Sequence, residues 1–218
     1  MQYRRLGIPS VDGLIGRGVF YGYGMTEAQA LGGESVAVVG GANSAAQAAV
    51  HLSRYADRVC MVVRGDSLAE TVSEYLLEQI GWLGNIEVRN STEVIDAGDK
   101  HQLRRLVLRN NRDGRVDEVA TRALFVLIGS VPRTDWLPAS IARDPNGFVL
   151  TGTDAPASDG SAYERLALET TLPGVFAAGD VRYGSVKRVA AAVGEGAAAI
   201  QQLHRVTGAN RPLAVAAR

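Results

Sequence analysis

Sulfur chemistry is nearly absent from this chain. Cys60 is the single cysteine in 218 residues, so no internal disulfide forms and no dithiol cycles within the chain. It lies in the apolar run RVCMVV, where a cysteine serves as a small buried hydrophobe. His51, His101 and His204 are far apart and lack cysteine or paired-carboxylate company, which leaves a metal site without ligands. An excess of either charge is missing too, because 23 Lys and Arg balance 23 Asp and Glu. A nucleic-acid partner, which needs a positive surplus, is therefore not expected. No apolar run approaches the ~20 residues of a membrane span, so no membrane partner is expected either. The leading MQYRRLGIPS is followed by no apolar segment or cleavage site, and the expected setting is the cytoplasm.

What is present reads as an α/β chain. ESVAVVGGANSAAQAAVHLSRYA, residues 34–56, gives an apolar strand, a glycine-rich turn and an alanine-rich helix, and a second strand follows over 58–63. This is a βαβ unit of the parallel, nucleotide-binding kind. Leu68, Val72, Tyr75, Leu76 and Ile80 recur at helical spacing and predict a helix from Ser67 to about Leu83. The period then changes to two. Residues 86–88, 93–96, 103–108 and 116–120 predict short antiparallel strands, a meander whose NNRDGR segment, Asn110 to Arg115, forms a hairpin turn. The continuous apolar run ALFVLIGS, Ala123 to Ser130, returns to the parallel sheet. Past Pro132 the composition shifts to proline, aspartate and glycine, which marks the exit from this domain.

Two segments carry candidate chemistry. In the turn Gly40, Gly41, Ala42, Asn43, Ser44, Ala45, backbone N–H groups and the positive end of a helix dipole converge, which suits a pyrophosphate. At the end of the second strand, about twenty residues on, a nucleotide site places a carboxylate for ribose hydroxyls or an arginine for a 2'-phosphate. Arg64 stands there, a bidentate phosphate ligand, and Asp66 beside it offers the ribose alternative. The second segment is LETTLPGVFAAGDV, in which an apolar strand predicted over 172–180 stops at Gly179 and Asp180. Glycine permits close backbone approach there, and the carboxylate can accept hydrogen bonds from a polyol.

Thr170, Pro173, Gly174, Val175, Phe176, Ala177, Gly179 and Asp180 match the second flavin motif T-x-x-P-G-V-F-A-x-G-D, and the chain resembles the thioredoxin reductase family of pyridine nucleotide-disulfide flavoenzymes. The resemblance implies a Rossmann-like NAD(P)-binding domain with a three-layer sheet and β-meander, joined to the C-terminal part of a split FAD-binding domain. It divides the chain into a connecting arm and remnant of the FAD-binding domain over 1–23, an NADPH-binding domain over 24–130 and the C-terminal part of the FAD-binding domain over 131–218. It implies FAD and NADPH as cofactors, a nicotinamide dinucleotide as partner, and a homodimer. The family's G-x-G-x-x-A turn falls on residues 40–45 with Ala42 in place of the second glycine, and its H-R-R-x-x-x-R motif keeps Arg64 alone. Gly129, closing the third apolar run, joins the cofactor-binding positions. The family's flavin-facing Arg-Gln-Ala segment falls on Lys187, Arg188 and Val189, at the start of a helix expected over 185–206 in which Gly194 and Gly196 allow close packing.

The departures matter as much. Counting from Gly18 places Gly22 and Met25 where the family has its redox cysteines and Thr26 where it has an acid, so neither position supplies the thiolate that disulfide exchange requires. The family's opening strand and first GxGxxG turn, which hold the FAD adenosine diphosphate, have no counterpart before Tyr21. The expectation is a shortened flavoprotein chain that binds flavin only with a separate N-terminal half and is inactive alone. The alternative is a non-catalytic nucleotide-binding or interaction module.

Overall fold

A computed structural model describes residues 1–22, 28–99, 101–157 and 165–208. The chain divides into two compact units, Tyr3–Gly129 and Ser130–Arg218, the latter joined by Met1–Gln2. Among the described residues no helix is long and apolar enough to cross a membrane.

The Tyr3–Gly129 unit has three layers. Its centre is a parallel five-stranded sheet in the order β2-β9-β3-β4-β5, formed by Val19–Tyr21, Ala123–Val126, Ser35–Val39, Arg58–Val62 and Ile86–Arg89. A parallel strand covered on both faces is a near-continuous apolar run, and VAVV after Ser35 in β3 and ALFV in β9 are such runs. Side chains still alternate between the faces. Val36, Val38, Met61 and Phe125 pack with α2 (Asn43–Leu52) and α3 (Glu74–Trp82) on one side. Ala37, Val39, Cys60 and Val126 point to the other, where β6 (Thr92–Gly98), β7 (Arg105–Asn110) and β8 (Val116–Ala120) form an antiparallel meander. Alanines Ala45, Ala46, Ala48 and Ala49 make up most of the buried face of α2, which lets the helix lie close to the sheet. Burial pushes the Cys60 thiol up to about 11, so it stays protonated and unreactive. The residues read as a connecting arm also pack here: α1 (Pro9–Asp12) and β2 belong to this unit.

Two elements differ from the sequence expectation. β5 is not antiparallel; it pairs parallel with β4 as the sheet edge, its half-covered IEVR pattern being the same in either arrangement. The helix expected from Ser67 starts at Glu74 instead. Leu68 and Val72 are buried at helical spacing, but Thr71 and Ser73 carry the backbone across the glycine turn before the helix begins.

The Ser130–Arg218 unit has little sheet. β1 (Gln2–Tyr3) and β10 (Ser130–Val131) form a two-stranded ribbon. Beyond it, isolated bridges join Arg143 to Val149, Val149 to Arg182 and Glu169 to Phe176. The strand expected over 172–180 is absent, because a turn at Gly174, with φ 77°, folds 175–177 back onto 168–170 and no second ladder extends it. Tight 3-10 turns at Gly152–Asp154 and Gly179–Val181 precede α4, Val189–Gly208. That helix begins four residues later than Ser185. A Cβ at Gly194 or Gly196 would meet no atom within 4 Å, so the close packing expected there is not found among the described residues.

Candidate functional site

The turn after β3 is built to bring three backbones together. Gly40 has φ 149°, and a Cβ on it would stand 2.5 Å from the carbonyl oxygen of Leu127 and 2.9 Å from the Ala45 Cβ. Only glycine fits there. Ala42 is extended and its carbonyl accepts the first helical bonds from Ala45 (2.9 Å) and Ala46 (3.2 Å), while the N–H groups of residues 41–44 find no acceptor among the described residues. Ala42, Asn43 and Ser44 are exposed, so the Ala42 methyl points away from the packed turn. The segment before α3 straps this turn: the Thr71 hydroxyl donates to the Gly41 carbonyl, and the Asn43 Oδ1 accepts from the Ser73 N–H (2.8 Å) and hydroxyl (2.9 Å). A rigid, exposed set of backbone donors at a helix N-terminus fits a pyrophosphate.

Just past β4 the two candidate discriminators part. Arg64 is exposed and makes no hydrogen bond or ion pair with the described residues. Asp66 is engaged: its Oδ1 accepts from the Ser91 hydroxyl (2.5 Å) and from Arg112 Nε (3.2 Å). Those bonds hold its carboxyl below the usual carboxylate range, with Ser91 the larger cause. Gly129, with φ 89°, accepts a hydrogen bond from the Arg4 N–H (3.0 Å) in the same unit.

In the other unit, Gly179 has φ 74° and stands where a Cβ would lie 3.2 Å from the Ala192 Cβ, so its lack of a side chain lets α4 come near. Its N–H donates to Glu195 Oε2 (2.7 Å), and Glu195 is gripped from the other side by Arg182 at 2.6 and 3.1 Å. Both side chains of this pair are 17% exposed. The Arg182 guanidinium first, and then the Gly179 N–H, pull the Glu195 carboxyl down to about 2 against the cost of its burial. Asp180, next in sequence, is half-buried with a carboxylate that accepts nothing from the described residues. Its carbonyl oxygen accepts from Lys187 Nζ (2.9 Å), which also reaches the Arg182 carbonyl (3.3 Å) and lies 4.3 Å over the Phe148 ring. Lys187 thus braces the Asp180 loop. Arg188 and Val189 are exposed at the start of α4.

Of the two positions read as vacated cysteines, Met25 lies outside the described residues, as does Thr26. Gly22 follows β2 directly, with φ 92°, and a Cβ on it would stand 2.8 Å from the Tyr3 hydroxyl oxygen.

Against known proteins, residues 3–196 match the model of the pyridine nucleotide-disulphide oxidoreductase family. The chain belongs to that family. Thioredoxin reductases are among its relatives. A thioredoxin reductase of Streptomyces coelicolor is 32% identical over 91% of this chain and 57% of its own length. An alkyl hydroperoxide reductase component of Pseudomonas putida is 32% identical over 91% of this chain and 35% of its own. Among solved structures, thioredoxin reductase from Lactococcus lactis superposes with a TM-score of 0.77 at 26% identity, covering 95% of this chain and 63% of that one. The chain therefore spans a little over half the length of the thioredoxin reductases it matches. The Gly40 turn and the Gly179–Asp180 turn lie on separate units.

Several residues that shape these sites carry little or no signal in the sequence. Ser91 and Arg112 lie 25 and 46 positions from Asp66, and the fold alone joins them. Glu169, fully buried inside the LETT segment, accepts from the Gly174 N–H (2.8 Å) and sets the turn before Gly179; a glutamate within an otherwise apolar and threonine-rich run is its one signal. The Arg182–Glu195 pair has no sequence signal, since both residues read as surface charge.

Proposed function

We propose that the chain is the nicotinamide-nucleotide unit and flavin-contacting segment of a thioredoxin-reductase-like oxidoreductase, with NADPH as hydride donor. The observation that carries this reading is the exposed donor set of residues 41–44 standing in the same unit as Arg64, whose guanidinium is uncommitted while Asp66 is not. The N–H groups of the turn would hold the pyrophosphate and Arg64 the 2'-phosphate. The uncommitted carboxylate of Asp180 fits a ribityl hydroxyl, and Lys187 keeps that loop in place. FAD, when bound, would accept the hydride and relay electrons to an acceptor.

Calorimetry with NADPH and NADH tests the nucleotide assignment. Arg64→Ala is expected to remove most of the preference for NADPH, a loss of about 1–3 kcal/mol as for other charge-assisted contacts. Equal affinities for the two nucleotides before and after the substitution would overturn the role of Arg64. Because this reading assigns the chain contacts to the ribityl end of a flavin and none to its adenosine diphosphate, the 218-residue chain is expected to purify colourless. Stoichiometric flavin absorbance would refute that expectation.

The second reading, a nucleotide-binding module without turnover, is favoured by Gly22. Its φ of 92° is a backbone conformation that L side chains rarely adopt, so a cysteine placed there would be strained. With FAD and NADPH added, the chain is expected not to reduce a disulfide. With a flavin-binding N-terminal half of a relative also supplied, NADPH-driven reduction of ferricyanide would favour the enzyme; its absence, with NADPH and flavin both bound, would favour the module.

A further inference from the structure

Ser91 is a buried residue in the left-handed region, φ 49°, where a serine is held only if its surroundings require it. All of its polar groups are committed. Its N–H donates to the Gly65 carbonyl (2.8 Å), its carbonyl accepts from the Asn111 N–H (2.6 Å), and its hydroxyl donates to Asp66 Oδ1. It therefore ties the loop after β4 to the hairpin turn between β7 and β8. That turn is itself fixed, because the Asn110 side chain accepts from the Arg112 N–H (2.8 Å). The result sets Arg112 Nε and Nη2 each 3.2 Å from Asp66 Oδ1.

Resting on the nucleotide reading above, we propose that Arg112 is a specificity-determining positioning residue: it neutralises Asp66, so that a 2'-phosphate at Arg64 meets net positive charge. Arg64 and Asp66 are two residues apart, within ~7 Å of chain. Alone they would cancel, and the strand end would suit ribose hydroxyls as well as a phosphate. Arg112 returns the sum of the three side chains to one positive charge. It acts through Asp66, and the side chain is 66% exposed, so its removal leaves the core untouched.

The test is the ratio of NADPH to NADH affinity in the full 218-residue chain, measured by titration at low salt. Arg112→Gln is expected to lower the ratio about three- to tenfold, as for one unit charge a few ångströms away near the surface. Arg112→Lys, which keeps the charge, should hold it near the wild-type value. Asp66→Asn should raise it, and the double variant Asp66→Asn/Arg112→Gln, with the same net charge as wild type, should restore it. These differences should shrink at high salt. A wild-type preference for NADPH that survives Arg112→Gln overturns this proposal alone, as does a double variant no better than Arg112→Gln, which would make Arg112 a direct phosphate ligand. A wild-type chain with no preference overturns the Arg64 assignment together with it.

Discussion

Val36, Val38, Met61 and Phe125 in the sheet unit are sealed from solvent, whereas Val189, Val193 and Ile200 on α4 of the other unit stand 84, 68 and 57% exposed. The first unit is held by apolar layers: a parallel sheet covered by helices on one face and a meander on the other. The second, among its described residues, has scattered buried side chains and a set of polar ties. Asp144 holds its own turn through the N–H groups of Asn146 and Phe148, Glu169 holds the next, and Arg182 with Glu195 fastens α4 to Gly179. Burial resists pH and local rearrangement, while polar ties depend on single side chains and their ionisation. The candidate segments of the two units therefore rest on different physics and should fail differently.

The largest expected effect lies in the sheet unit. Gly40→Ala would force a methyl against the Leu127 carbonyl in a backbone conformation that L residues rarely adopt. A loss of about 3 kcal/mol is expected from the clash and strain together. Hydrogen exchange, resolved by segment, should show faster opening in β3, β9 and α2 and little change in α4. Equal acceleration in both units would break the distinction drawn between them.

A smaller effect is expected from pH in the second unit. The Glu195 carboxyl titrates at about 2 in the folded chain against an ordinary 4.5, so its contribution is present above 4.5 and is lost as pH falls toward 2. Discounted for solvent at the edge of the pair, that contribution is on the order of 1–2 kcal/mol. Thermal unfolding of wild type and Glu195→Gln should show an advantage for wild type near neutral pH that narrows as the medium is acidified through this window. A constant advantage down to the lower limit would mean that the carboxylate charge is not what holds α4 to the Gly179 turn.

The same contrast decides what is legible in the sequence. β3, β4 and β9 can be read directly because strands buried on both faces leave continuous apolar runs, and the turn at Gly40 because a strand, glycines and an alanine helix follow one another without a gap. The parallel pairing of β5 cannot be read, because pairing direction is not encoded in a four-residue half-buried pattern. The helix boundary at Glu74 is hidden because Leu68 and Val72 serve the same core as the helix, and only the side-chain bonds of Thr71 and Ser73 show that the backbone there does other work. In the second unit, the apolar run PGVFAA suggests a strand, but a strand needs a neighbour, and the described residues give it one bridge. Arg64 can be singled out by its place at a strand end. The side chains that engage Asp66 cannot, since they come from a turn and a hairpin distant in the chain.

The smallest effect sharpens the comparison from the glycine side. Gly194 lies inside α4, where glycine costs a helix about 0.5–1 kcal/mol relative to alanine through its greater freedom in the unfolded chain. At Gly40 an added methyl has no room; at Gly194 it meets nothing within 4 Å. Gly194→Ala is therefore expected to stabilise α4 by about that amount, seen as slower exchange of the helix amides and a small gain in helical circular dichroism. Repeating the measurement over a dilution series separates two causes of any contrary result. Destabilisation that vanishes on dilution would show a second chain packed against this face, with Gly194 admitting it. Destabilisation at every dilution would show instead that the glycine serves the fold of the unit itself, and that the exposed valines of α4 are not as free as their surface area implies.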